Sequence, residues 1–113
     1  MKSFDDVIVR SLPMGRDLLI MITGGESHIG AASTAYYVNQ EVQVDTSTVP
    51  GHKEHTLSNE MAKRAAETLK RTVTLVMGIH YDNLTKEEII EVSREADSKF
   101  QKHLKLLASE VIA

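Results

Sequence analysis

Three short segments carry the residues of this chain that have chemistry to offer: TGGESHIGA (residues 23–31), VPGHKEH (49–55) and GIHYDN (78–83). Four of its five histidines fall within them. Adjacent Gly24 and Gly25 permit positive φ and close approach of another group, and His28 and Gly30 stand where the next strand-like run begins. His28, His52, His80 and Asp82 could ligate Zn²⁺ or Fe²⁺ through neutral imidazoles and a carboxylate, although neither HxH nor HExxH occurs. Without metal, a His/Asp pair can move protons, with Asp82 or Glu54 setting the imidazole tautomer. No serine elbow or carboxylate pair accompanies it, so hydrolysis gains no support.

The same segments also read as an anion cradle. Gly24 and Gly25 with Ser27, Gly51 with His52 and Lys53, and the amide-bearing starts of two helices offer donors free of bulk, and helix N-termini favour negative charge. A phosphate-bearing ligand with a flat ring suits such a rim. Against both readings, strand-end glycines are ordinary turn residues and each histidine taken alone serves structure more often than function.

The positioning elements follow from periodicity. Residues 4–12 alternate loosely, residues 13–17 supply a turn, and residues 17–23 form a second strand ending at the glycine pair. Residues 28–38 (HIGAASTAYYV) are small on both faces, so another element should pack closely over that strand. Asn39-Gln40 is a two-residue turn, and residues 41–49 alternate with Val42 and Val44 on one face. These four strands read as an antiparallel meander. Leu57, Met61, Ala65 and Leu69 then recur at helical spacing, with Ser58 as the expected N-cap. TVTLVMGI (residues 72–79) is apolar nearly throughout, as suits a buried central strand. Thr85 to Glu88 spell a capping box, and Leu84 with Ile89 a hydrophobic staple. A long helix follows from Lys86 to near the C-terminus, with Ile89, Ala96, Phe100, Leu104, Leu107 and Val111 as its apolar stripe.

The predicted order is β-β-β-β-α-β-α. That is an α+β fold, a mainly antiparallel sheet with two helices on one face. If the second, fourth and fifth strands run the same way, their ends gather His28, His52, His55, His80 and Asp82 on one rim.

At 113 residues, 42% hydrophobic and 26% charged, the chain is read as one domain over residues 1–113. A net charge of −3 and the absence of Trp give nucleic acid no basic or stacking surface. No cysteine means no disulfide or thiolate chemistry. The start MKSFDDVIVR lacks a signal-peptide core and no apolar run reaches the ~20 residues of a membrane helix, so a cytoplasmic protein is expected.

GGESHIGA, VPGHKE and GIHYDNLTKEEI, in that order and with a helix between the second and third, resemble the LpdD-like family. Its members are associated with UbiD-type decarboxylases and described as chaperones for prenylated flavin mononucleotide, and their fold is related to that of proteasome assembly chaperones. The resemblance spans nearly the whole chain, with Tyr81 where an aliphatic residue is expected. It implies a carrier without turnover, binding reduced prenylated FMN and plain FMN less well, with a UbiD-type decarboxylase as partner. Carried over by position, it places Gly24, Gly25, His28, Gly30, Gly51, His52, Lys53, Glu54, His80, Asp82 and Asn83 around the ligand. Amides of Gly24, Gly25 and Gly51 with the Lys53 cation would hold the phosphate. His28, His80 and Asp82 would line the polar edge of the isoalloxazine. The small third strand and the amphipathic last helix leave apolar surface for a second subunit, hence an expected homodimer. The competing expectations are a His/Asp metalloenzyme and an assembly chaperone that binds protein alone.

Overall fold

The computed structural model describes residues 3–51 and 54–112. His52 and Lys53, and the side chain of Val111, lie outside the described residues. The elements are β1 (Ile8–Met14), β2 (Asp17–Gly25), β3 (Ala31–Val38), β4 (Glu41–Thr48), α1 (His55–Leu69), β5 (Val73–His80) and α2 (Lys86–Ile112). The expected α+β order is therefore realised. β1 starts later than its alternation suggested, because Phe4 to Val7 close a turn through Val7 N–H to Phe4 O at 3.1 Å. It also runs on through Pro13, which an edge strand tolerates because the missing N–H faces outward.

The strand order is β1-β2-β5-β3-β4, which corrects the meander. β5 pairs parallel to β2 and antiparallel to β3, so the second and third strands never touch as neighbours. The physical reason lies in composition: Val73, Leu75 and Met77 of β5 are fully buried, and a strand flanked on both sides satisfies every backbone group where water is absent.

Both helices cover one face. The register sets Ile20 beside Leu75 and Leu75 beside Ser33, and α1 meets this layer with Met61, Ala62, Ala65, Ala66 and Leu69, α2 with Val92, Ala96, Phe100 and Leu104. The small residues Ala31, Ser33 and Ala35 sit beneath the alanine face of α1, the close packing their size predicted. Ser58 is not the N-cap. Glu54 takes that place, without a side-chain capping bond, while the buried Ser58 hydroxyl meets Ser33 Oγ at 2.8 Å and donates to His55 O at 3.2 Å. Two hydroxyls buried together satisfy each other.

The capping box of α2 forms as read: Thr85 N–H donates to Glu88 Oε1 at 3.0 Å and Glu88 N–H to Thr85 Oγ1 at 3.1 Å. The apolar stripe is shifted, however. Ile89 is 51% exposed and Val92 is buried in its stead, because the first turn of α2 faces a cavity rather than the sheet. Lys99 Nζ donates to the carbonyls of Asp5 (3.0 Å) and Val7 (2.6 Å), tying the N-terminal segment to α2.

Candidate functional site

Parallel pairing brings the ends of β2 and β5 together, with Gly25 opposite His80, and the antiparallel β3 turns β4 the same way. Residues 26–30 then cross the end of β5. Glu26 N–H donates to His80 O and Gly30 N–H to Met77 O, both at 2.9 Å, and Val49 N–H to Gly30 O at 2.9 Å. Gly78 makes the crossing possible: a Cβ there would coincide with the backbone carbonyl of His28.

This crossing gathers His28, Glu54, His80 and Asp82. His28 Nε2 lies 3.8 Å from Glu54 Oε1, and the His28 and His80 rings meet edge to face at 6.1 Å. His80 Nε2 and Asp82 Oδ1 are 3.0 Å apart, so a neutral imidazole donating there leaves Nδ1 as an acceptor. The Glu54 side chain is 15% exposed, its carboxylate pressed on Gly30 where a side chain would otherwise stand. Its Oε2 is buried and has no hydrogen-bond partner among the described residues. The N-terminus of α1 places positive dipole at this carboxylate.

Beside them opens a cavity of about 360 Å³ between the start of α1, the end of β5 and the first turns of α2. Its lining is mostly apolar, from Leu57, Met77, Ile79, Leu84, Ile89, Val92 and Ala96, with Glu54, His80, Tyr81 and Ser93 as its polar members. That volume lies in the range of ~300–1,000 Å³ of small-molecule pockets, and convergent polar groups in an apolar wall are their usual composition. A wider hollow of about 620 Å³ is lined, among the described residues, by α2 alone.

The glycine pair has a different neighbourhood. Gly25 adopts φ +64°, and its N–H donates to Asp6 Oδ2 at 2.9 Å while the Tyr81 hydroxyl donates to Asp6 Oδ1 at 2.5 Å. The anion at this amide is the protein's own carboxylate. A Cβ on Gly24 would meet Val7 and the Tyr81 hydroxyl, and Phe4 stacks edge-on to Tyr81 at 5.0 Å. Gly51 forms an open turn at φ +87°, and exposed Asn83 at φ +57° precedes α2. His55 opens α1 exposed, and His103 pairs with Ser11 Oγ at 2.8 Å.

The Tyr81 hydroxyl, with the Gly25 amide, holds the Asp6 carboxyl below the usual carboxylate range, and burial with the same bond pushes the Tyr81 phenol up. A depressed carboxyl stabilises the fold above its unfolded value, ~3.9, and that contribution is lost as pH falls through the lower folded value. Denaturant titrations from neutral to acid pH should show stability falling below about pH 4. Tyr81→Phe should flatten that acid limb by removing the main cause of the depression; identical limbs would rule the hydroxyl out as its source.

Residues 4–108 match the family model of the prenylated flavin chaperone LpdD-like domain. The chain belongs to this family. Protein LpdD of Lactiplantibacillus plantarum is 35% identical over 100 residues, a match covering 80% of this chain and 74% of that protein. A chain in the crystal structure of a chaperone complex for yeast 20S proteasome assembly shares the fold, with a TM-score of 0.59 at 12% identity over 93% of this chain and 96% of that one. The resemblance carried by the three motifs is thus borne out, and with it the proteasome-chaperone-like architecture.

Of the apolar residues that line the cavity in this family member, spacing places Leu57, Ile89 and Ala96 on helix stripes, Leu84 in the staple, and Met77 and Ile79 in the apolar strand, while nothing in it marks Val92. Only the fold, by bringing the start of α1, the end of β5 and the first turns of α2 together, sets them around one cavity. Asp6 and its bond to Tyr81 carry no sequence signal, since nothing local marks a carboxylate in the N-terminal segment as the partner of a glycine 19 residues on. Among the described residues no group of three or more His, Cys, Asp or Glu could hold a metal ion, and no helix is long and apolar enough to cross a membrane.

Proposed function

We propose that this chain is a non-catalytic carrier that holds reduced prenylated FMN and hands it to a UbiD-type decarboxylase. The observation that carries the reading is the cavity of about 360 Å³, mostly apolar in its lining with Glu54 and His80 among its few polar members, in a member of a prenylated flavin chaperone family. A prenylated isoalloxazine has the matching polarity: an added apolar ring at one side and hydrogen-bonding carbonyl and N–H groups at the other. His28, His80 and Asp82 serve that polar edge, where hydrogen bonds tune and shelter a reduced ring. The phosphate falls to Gly51, His52 and Lys53, because the Gly25 amide already serves Asp6. A carrier binds without turning over, and binding groups that orient a ligand suffice for it.

The helix-free face of the sheet supports a homodimer. Ile8, Leu12 and Met14 are exposed on it, with Leu12 in register with Leu19 and Arg10 with Met21, while Arg10 and Asp45 lie on opposite edge strands. A second copy rotated about an axis along the strands sets each β1 over the partner's β4, so the charges complement each other.

The test is an anaerobic titration with reduced prenylated FMN beside plain FMN, on the wild type, His28→Ala and Lys53→Ala. Tight binding of the prenylated form is expected, with FMN weaker and both variants impaired by about tenfold or more, the worth of one charge-assisted hydrogen bond. Absence of binding to either flavin would overturn the carrier. Light scattering of the same sample should give twice the 12.6 kDa chain mass; a monomer would overturn the dimer.

A further inference from the structure

We infer that Glu54 is the residue that reads an imide N–H on the ligand, making the cavity selective for a flavin whose N3 carries hydrogen. The inference rests on the carrier reading and adds to it the group that decides which ring edge enters first.

Three observations converge on Glu54. It lines the cavity, its side chain is only 15% exposed, and its Oε2 is buried without a hydrogen-bond partner among the described residues. Oε1 stands 3.8 Å from His28 Nε2, beyond hydrogen-bond length. As the N-cap of α1 it makes no capping bond, so the carboxylate does not do the work that usually explains an acidic residue there. A buried carboxylate oxygen that finds no donor among the described residues costs the free protein stability, and the arrangement persists at functional sites where a ligand supplies the donor.

The chemistry of that donor follows. A carboxylate accepts and does not donate, so its partner is an N–H or O–H. The imidazoles of His28 and His80 stand beside it, their rings 6.1 Å apart, with the His80 Nε2–H already donated to Asp82. A buried carboxylate acceptor is the complement of an acidic N–H such as that of an imide, which lies between two C=O groups. The isoalloxazine presents such an edge at N3. Gly30 is the device that admits the carboxylate, since a Cβ there would stand on Glu54 Oε2.

The experiment uses reduced prenylated FMN with wild type, Glu54→Gln and Glu54→Leu, and competition by reduced FMN against reduced 3-methyl-FMN. Glu54→Leu is expected to weaken binding about 100-fold and Glu54→Gln less, because the amide oxygen still accepts. Plain FMN should compete at least about 100-fold better than its N3-methyl analogue, since a polar site rejects a ligand that leaves its buried group unpaired. The unliganded Glu54→Leu protein should melt no lower than the wild type, which a purely structural carboxylate would not allow. Equal binding by Glu54→Leu, or equal competition by the N3-methyl analogue, would overturn the role of Glu54 while leaving the carrier intact. Failure of the wild type to bind reduced prenylated FMN would overturn the carrier and this inference with it.

Discussion

Replacing Gly78 by alanine is expected to cost about 3 kcal/mol and to lower the unfolding midpoint by roughly 10–15 °C. The size of the effect comes from what the new methyl would meet. It would fall on the carbonyl of His28, a backbone group rather than the end of a flexible side chain. Neither partner can yield cheaply. Gly78 belongs to the central strand, with Thr23 opposite it on β2, and the crossing segment is pinned by the bonds of Glu26 to His80 and Gly30 to Met77. To admit the methyl, the segment must lift, which breaks those bonds and carries His28 away from Glu54. Ligand affinity should therefore fall together with stability. Thermal unfolding followed by circular dichroism checks the first effect; a midpoint within about 2 °C of wild type would mean that the crossing can move without loss. Gly15→Ala is the matched control: it too adds a methyl, but nothing stands within 4 Å of that Cβ. Its cost is confined to the strain of its φ of +61°.

Gly78 also shows where sequence reading stops. The residue stood inside the third motif, yet its purpose depends on a segment some fifty residues earlier passing over it, and no periodicity encodes that contact. Local features were legible. The capping box of α2, the Asn39-Gln40 turn, with φ of 52° and 70°, and the apolar β5 all express forces acting within a few residues. Strand neighbours are a different matter. Consecutive strands are the default pairing, and the meander followed from it, but burial overrode adjacency: the most apolar strand took the centre and parted β2 from β3. The composition of TVTLVMGI already held that answer, because a strand buried at the centre of a sheet must have two neighbours.

The site was legible in type and less so in role. Of the residues expected on one rim, His28, His80 and Asp82 lie together, with Glu54 beside His28, while His55 opens α1 exposed and His52 lies outside the described residues. The glycine pair was read as an amide cradle for an anion, and its amide does hold one, the carboxylate of Asp6. Sequence can show that donors are available; it cannot show which acceptor arrives first. Ser58 teaches the same lesson for helix starts, since its hydroxyl finds Ser33 across the core before it can cap.

Ser93→Trp is expected to abolish flavin binding, by about 100-fold or more, while moving the unfolding midpoint by no more than ~2 °C. Ser93 lines the cavity from α2 and is half-buried, so an indole at this position extends into space that is empty in the unliganded protein and displaces no core side chain. The apolar walls of Leu57, Ile79 and Leu84 receive its ring as they would receive the ligand's, and burial of that surface offsets the modest helix propensity of Trp. Ring and ligand then compete for one volume. Steric exclusion differs in this from the loss of a hydrogen bond: there is no weakened pose to fall back on, so the effect should be near complete for prenylated and plain FMN alike. Ser98→Trp supplies the control, an exposed serine on the same helix outside the cavity, which should bind as the wild type does. Unaltered binding by Ser93→Trp would move the ligand out of the cavity and onto another surface, and would detach Glu54 from it at the same stroke. Loss of binding in Ser93→Trp, with Ser98→Trp unaffected, would leave the apolar walls and the Glu54 carboxylate as one site.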